Sequence, residues 1–291
     1  MIWQDYRKLY INALVQYSPK FKKELQKQVD TYCRTQDFDA ISDKSLEKTI
    51  KQLHVALGTK MGLIAEKDVK KGAKGAYIPM ETKSAKTSLF AYVIIKYLET
   101  KGLSQLAGDI TDTTKEQIRK FLIQGQEQGL SMTEIIALLK TSGLTNYRAE
   151  LIARTETARA ANIGSMVGAM STGLVTNKEW IAAKDNRTRR MPRDANDHYH
   201  MDGVQVAIDE KFVVPAKTYI DNMLHPGDST ARAGNVCNCR CTLGYEAVRG
   251  PDGKLKRLAD NPPMGDAGLL WELLTNLAAY EIGQLLADAL T

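Results

Sequence analysis

Residues 146–171 read NYRAELIARTETARAANIGSMVGAMS, and this stretch, taken with the residues after it, decides the fold class. Asn146 can open a long helix here, and Gly173 stops it. Beyond Gly173 the texture changes. Lys178–Ala183 and Val204–Ile208 read as strands separated by a polar, arginine-rich loop. Phe212–Val214 could add a third strand and Cys237–Leu243 a fourth. A long helix succeeded by short strands predicts an α+β fold, with the helix packed on a small antiparallel sheet.

Upstream, the pattern is helical. Tyr6, Leu9, Tyr10, Ala13, Leu14 and Tyr17 repeat at helical spacing, and Phe21, Leu25 and Val29 continue the stripe beyond Pro19. A second helix is expected from Ser42 or Asp43, carrying Leu46, Ile50, Leu53 and Leu57; a third carries Leu89, Phe90, Val93 and Tyr97. Asp112 or Thr113 can cap a helix ending at Gly129, and Ser131-Met-Thr-Glu134 is a capping box. The expected organisation is a mostly helical, lysine-rich region over 1–110, an α+β domain over 111–248, and a Pro/Gly linker with an apolar C-terminal helix over 249–291.

The 291 residues are 43% hydrophobic and 25% charged, which excludes wholesale disorder and a disulfide-stapled mini-protein. The start, MIWQDYRKLY, puts Asp5, Arg7 and Lys8 where a signal peptide would be apolar. The apolar run Leu269–Leu290 carries Glu272, Glu281 and Asp288, each costing about 2.5–3.5 kcal/mol at a bilayer centre, so no membrane span is expected. Its apolar residues surround the helix, which points to burial, with a protein partner as one covering surface. Of the net charge of +6, residues 1–110 hold the excess: 19 Lys and Arg against 12 Asp and Glu, 17 of the cations being lysine. Lysine favours sequence-independent attraction to a polyanion such as double-stranded DNA over base readout. Within Glu66–Ser84, expected as a basic loop, Lys67, Lys70, Lys71 and Lys74 are the candidate phosphate contacts.

Cys33 stands alone, while Cys237, Cys239 and Cys241 crowd into CNCRC. In an extended chain these three would share one face, with about 7 Å between neighbours. Without a secretion signal, reduced thiols or a metal are expected rather than disulfides. Cys239 and Cys241, joined by His198 and His200, would make a structural zinc site; the bland alternative is thiols packed as small core residues. Arg154 and Glu156 lie two apart on a helix and cannot face each other, so each needs its own partner. Arg154 with Asp185, and Glu156 with Arg187, are the natural buried pairs. Arg189 and Asp202 complete the candidate structural network, Asp202-Gly203 forming a turn into the second strand.

Taken in order, these pieces are Arg154-Thr155-Glu156 on a helix, Trp180, Asp185-x-Arg187-x-Arg189, His198-x-x-x-Asp202-Gly203, Pro226-Gly227-Asp228 and Asn238-Cys239-Arg240-Cys241. That series resembles the minor head, or head morphogenesis, proteins of tailed bacteriophages named for the F protein of phage Mu. The resemblance runs from about Leu151 to Leu243 and implies a minor capsid protein of the virion, inside the phage head and in the host cytoplasm during assembly. It implies the portal protein as partner, with major capsid or scaffold protein as further candidates, and a part in packaging or ejection without catalysis. Two enzymatic rivals use the same residues. An NAD-dependent ADP-ribosyltransferase would need an arginine and a catalytic glutamate, for which Arg154, Glu156 and Glu179 are the candidates. A metal-dependent nuclease would be built on His198, His200 and Asp185.

Overall fold

The architecture is organised by one helix whose C-terminal part is buried on all sides. In a computed structural model describing residues 2–73 and 83–275, α6 spans Leu144–Met170, and every residue from Thr155 to Met170 is buried. Such a helix must be covered all round, and two helical partners and a sheet cover it.

One partner is α1 (Ile2–Thr35), whose Tyr6, Tyr10, Ala13, Tyr17, Phe21, Leu25, Val29 and Tyr32 form a buried stripe at helical spacing. The helix runs unbroken through Pro19, as the continuous stripe demands. The other is α2 (Lys44–Gly72), which begins after Asp43 and buries Leu46, Ile50, Leu53, Leu57 and Met61. Here α2 and α6 meet at glycines. A Cβ on Gly164 would lie 2.1 Å from the Gly58 carbonyl oxygen, and one on Gly168 would lie 1.9 Å from that of Gly62. Backbone therefore lies directly on backbone, an approach open only to residues without a side chain.

Around this pair, α3 (Lys83–Thr100) buries Phe90, Val93, Ile94 and Tyr97, and α4 spans Leu103–Glu127. The start of α4 corrects the expected cap: Asp112 and Thr113 lie inside the helix. The Thr113 and Thr114 hydroxyls donate to the carbonyls of Asp109 and Ile110, so the polar run is satisfied within the helix. Ser131 and Glu134 form the expected capping box on α5 (Met132–Thr141).

The strands are β1 (Thr176–Ile181), β2 (Gln205–Ala207), β3 (Phe212–Pro215), β4 (Ile220–Met223) and β5 (Thr242–Ala247). A three-stranded antiparallel sheet has the order β2-β1-β5, with Lys178 opposite both Val206 and Tyr245; β3 and β4 pair as a separate hairpin. The fold is the expected α+β. The expected strand over Cys237–Leu243 is corrected: a short helix, α7 (Ala233–Val236), leads into a turn at Cys237-Asn238, and β5 begins only at Thr242.

The segment read as a linker is tied down, with Leu174 bridging Arg257, Arg249 bridging Leu255, and Leu258 buried. The last helix, α8, spans Gly265–Thr275. Ala267 and Leu270 join the core, and Leu269, Trp271, Leu273 and Leu274 pack against it. The start of the apolar run, residues 269–275, thus covers itself on the protein's own helices; residues 276–291 lie outside the described residues. Glu66–Gly72, expected in a loop, is the end of α2. No helix among the described residues is long and apolar enough to cross a membrane.

The glycine seam yields a sharp expectation. Gly164→Ala and Gly168→Ala should each cost about 1–3 kcal/mol or more by overpacking, whereas Gly72→Ala, which meets nothing within 4 Å, should be neutral or slightly stabilising. Urea denaturation of the three variants checks this; equal midpoints would contradict the backbone contact.

Candidate metal centre

The loop after β1 carries His198 back into the core. The amides of His198 and Tyr199 both donate to the Arg189 carbonyl, at 3.0 and 2.9 Å. The imidazole then packs edge-on against buried Trp180, with ring centroids 5.3 Å apart. From the other side, the turn at Asn238, with φ of 58°, delivers Cys239 and Cys241; asparagine tolerates that left-handed conformation better than most residues. His198 Nδ1 lies 3.6 Å from Cys239 Sγ and 3.8 Å from Cys241 Sγ, and all three residues are buried.

A chain of hydrogen bonds sets the tautomer of His198. Arg232 pairs with Asp221 at 2.9 Å, the Asn235 side-chain amide donates to Asp221 at 2.8 Å, and Asn235 Oδ1 is left to accept from His198 Nε2 at 3.2 Å. The proton therefore sits on Nε2, and Nδ1 presents its lone pair to the two sulfurs. The Cys241 S–H donates to Cys239 and pulls it well below the ordinary thiol range, while Cys241 is pushed well above it.

These distances suit a tetrahedral ion. With Zn–S near 2.3 Å and Zn–N near 2.0–2.1 Å, a tetrahedron separates nitrogen from sulfur by about 3.6 Å. The carboxamide and carboxylate behind Nε2 have the arrangement that orients metal-ligating histidines. Next to the cluster is a gap of about 10 Å³, the room of one water, lined by Thr188, Arg187, Arg189 and Arg240. His198, Cys239 and Cys241 could thus hold zinc with a fourth position beside that gap.

His200 does not join them. Its Nδ1 bonds Asp197 at 2.7 Å and its side chain is half-exposed. Burial works against the Asp197 carboxylate, but the His200 hydrogen bonds prevail and hold it below the usual range. The His-x-His reading assumed an extended segment, whereas this one is a turn. Cys237 also stays apart, in the turn, with its carbonyl accepting from Arg189.

The expected ion pairs are replaced by others. Arg154 bonds Glu150 at 2.8 Å on the exposed side of α6, because two residues rotate it by about 200° from Glu156. Glu156 pairs with Arg159 at 2.8 Å and with His54 of α2 at 3.1 Å, not with Arg187. Arg159 also donates to the Gly227 carbonyl at 3.0 Å. Asp185 pairs with Arg240 at 2.7 Å; Arg187 is exposed; Asp202 accepts from the Ala182 amide and pairs with Lys184. The other motif pieces also meet on α6. Thr155 accepts from the Asn238 amide at 3.0 Å, and Asn162 donates to the carbonyls of Pro226 at 2.9 Å and Cys241 at 3.1 Å.

The nuclease trio therefore has three different partners, and of the two glutamates of the ADP-ribosyltransferase reading Glu156 is sealed at 2% exposure while Glu179 is half-buried on β1, where it accepts from Gln205. Of the candidate DNA contacts, Lys67 and Lys71 are exposed on the last turns of α2 and Lys70 is engaged by Glu66; Lys74 lies outside the described residues. Sequence reasoning missed His54, Arg159, Asn162, Asn235 and Asp221. The Arg159 spacing of three from Glu156 was a readable signal; the long-range partners had none.

Removing charge from the buried pair should be severe. Glu156→Gln leaves Arg159 without its counter-ion and should cost on the order of 3–5 kcal/mol, while Glu150→Ala, at an exposed pair, should stay within about 1 kcal/mol. Burial also lowers the pKa of His54 and of His225. As pH falls through the ordinary imidazole range near 6.5, the unfolded chain binds protons that the folded one refuses, so stability should decline from there downward. Urea midpoints at pH 7.5, 6.5 and 5.5 check the sign; a flat series would contradict it.

No curated protein and no solved structure gives a significant match to this chain. A family model does match, that of the Phage Mu protein F like proteins, over residues 116–244, a little under half of the chain. The matched span includes α6, the sheet, His198 and both clustered cysteines, and it covers the whole series of motifs read from the sequence. Over residues 116–244, then, the chain matches the Phage Mu protein F like family, which is consistent with a bacteriophage head-morphogenesis protein.

Proposed function

We propose that this protein is a minor head component that works by binding: it associates with the portal inside the phage head and contacts the packaged double-stranded DNA without regard to sequence. The observation that carries this reading is the Mu F-like match over a span whose buried polar residues tie its elements to one another. Thr155, Glu156, Arg159 and Asn162 join α6 to α2, to the Pro226-Gly227 turn and to the cysteine turn. The basic excess of the first 110 residues supports the DNA contact. Recovery of the chain with a portal ring and from inside assembled heads tests the reading; heads that form and fill equally well without it would overturn it.

For the DNA contact, duplex affinity should fall steeply with salt. Lys67→Ala with Lys71→Ala should make the log–log slope shallower by about 1.8, at about 0.9 per phosphate. Titration of a random-sequence duplex at several salt concentrations measures this, and an unchanged slope would remove these lysines from the contact.

The same reading gives the domain a structural zinc at His198, Cys239 and Cys241. Protein purified without chelator should carry close to one equivalent of zinc. Cys239→Ser and chelation should each lower the melting temperature, and His200→Ala should not. Less than about a tenth of an equivalent would leave packed thiols as the account.

A further inference from the structure

Five arginines converge on one concavity away from Lys67 and Lys71. A groove of about 580 Å³ between the start of α1 and the cysteine turn is lined by Arg7, Arg154, Arg187, Arg189 and Arg240, with Asp185 the sole acidic residue in its wall. That carboxylate is already neutralised by Arg240. Three of the arginines are braced: Arg154 by Glu150, Arg189 by the Cys237 carbonyl and Arg240 by Asp185. Each guanidinium has five N–H donors, so bracing one edge leaves donors to spare. Arg7 and Arg187 are exposed and make no side-chain hydrogen bond or ion pair among the described residues. The hydroxyls of Tyr6 and Tyr10, in the same lining, are buried without a hydrogen-bond partner.

We infer that this groove is a binding site for the phosphodiester backbone of DNA. Rigid guanidinium forks match phosphate oxygens in pairs, and several converging on one concavity suit a chain of phosphates better than a single ion. The remaining wall, formed by Trp3, Ile11 and Leu14, is an apolar bed of the kind deoxyribose faces can occupy. An acidic polypeptide would share the charge, but its carboxylates stand on separate side chains, whereas a DNA strand presents its anions at a regular spacing along one backbone. Arg240 stands between Cys239 and Cys241, so the candidate metal centre and the groove share one turn. The inference rests on the DNA-binding reading above and assigns the contact to a site separate from Lys67 and Lys71.

The test uses the full chain with a fluorescent 20-base-pair duplex, monitored by anisotropy across salt concentrations. Arg7→Ala with Arg187→Ala should weaken binding at least tenfold and make the salt slope shallower by about 1.8. The charge-matched Lys22→Ala with Lys48→Ala, at exposed sites elsewhere, should change affinity less than threefold. Thermal melts of both variants should coincide with that of the parent. If the duplex binds but the arginine pair leaves affinity and slope unchanged, the groove assignment falls and the DNA reading stands. If the parent protein binds no duplex, both fall. If polyglutamate competes with the duplex at equal charge concentration, and the arginine pair abolishes its binding, the ligand is an acidic polypeptide and the DNA assignment is overturned.

Discussion

A buried carboxylate on α6 is the interaction on which the remaining arrangement depends. Glu156 is almost wholly removed from water, where an unpaired charge would cost several kcal/mol. Burial opposes its ionisation, but Arg159 and His54 outweigh that and hold its pKa below the usual range. Meeting this demand requires α2, which supplies His54, to lie against α6, and the glycines at 58, 62, 164 and 168 allow the close approach. Arg159 in turn needs an acceptor for its remaining donors and finds the Gly227 carbonyl. Thus one residue of the helix ties an N-terminal helix on one side to a loop of the Mu F-like region on the other.

The motifs that are scattered along the sequence converge because they answer the same helix. Thr155 holds the turn at Asn238, and Asn162 holds the carbonyls of Pro226 and Cys241. Together with Arg159, these contacts place the Pro-Gly-Asp turn and the cysteine turn side by side over α6. The Pro-Gly-Asp turn is internally closed, since Asp228 accepts from the amides of Leu224 and Thr230. The cysteine turn is closed on His198, and the arginines that flank it form one wall of the groove. Structural motif and arginine groove are therefore two faces of the same segment.

Much of this was legible where the signal is local. The long helix, the Ser131 capping box and three of the strands come from spacing and side-chain chemistry within a few residues, and the trio His198, Cys239 and Cys241 from joining two short motifs by their shared metal-ligand chemistry. Signals that depend on a distant partner were not legible. His54 looks like any core histidine until α6 is packed against it. The start of α4 was displaced by ten residues because threonines that resemble caps satisfy themselves inside the helix. His200 was placed with the metal candidates, and Cys237 on one face with Cys239 and Cys241, by assuming extended backbone, and the turns at both sites break the alternation. The arginine groove could not be seen at all, because Arg7 and Arg240 are more than two hundred residues apart.

With Glu156 as the clamp, α1, α2, α6 and the β2-β1-β5 sheet should form one cooperative unit. Native-state hydrogen exchange measures this directly, since amides that open only with global unfolding share one free energy. The buried amides of α2 near His54, those of α6 from Thr155 to Met170, and those of β1 and β5 should exchange at that common value and shift together in Glu156→Gln. Exchange of α1 and α2 at a markedly lower free energy, with α6 and the sheet still protected, would show that the N-terminal helices come away by themselves and would contradict the clamp.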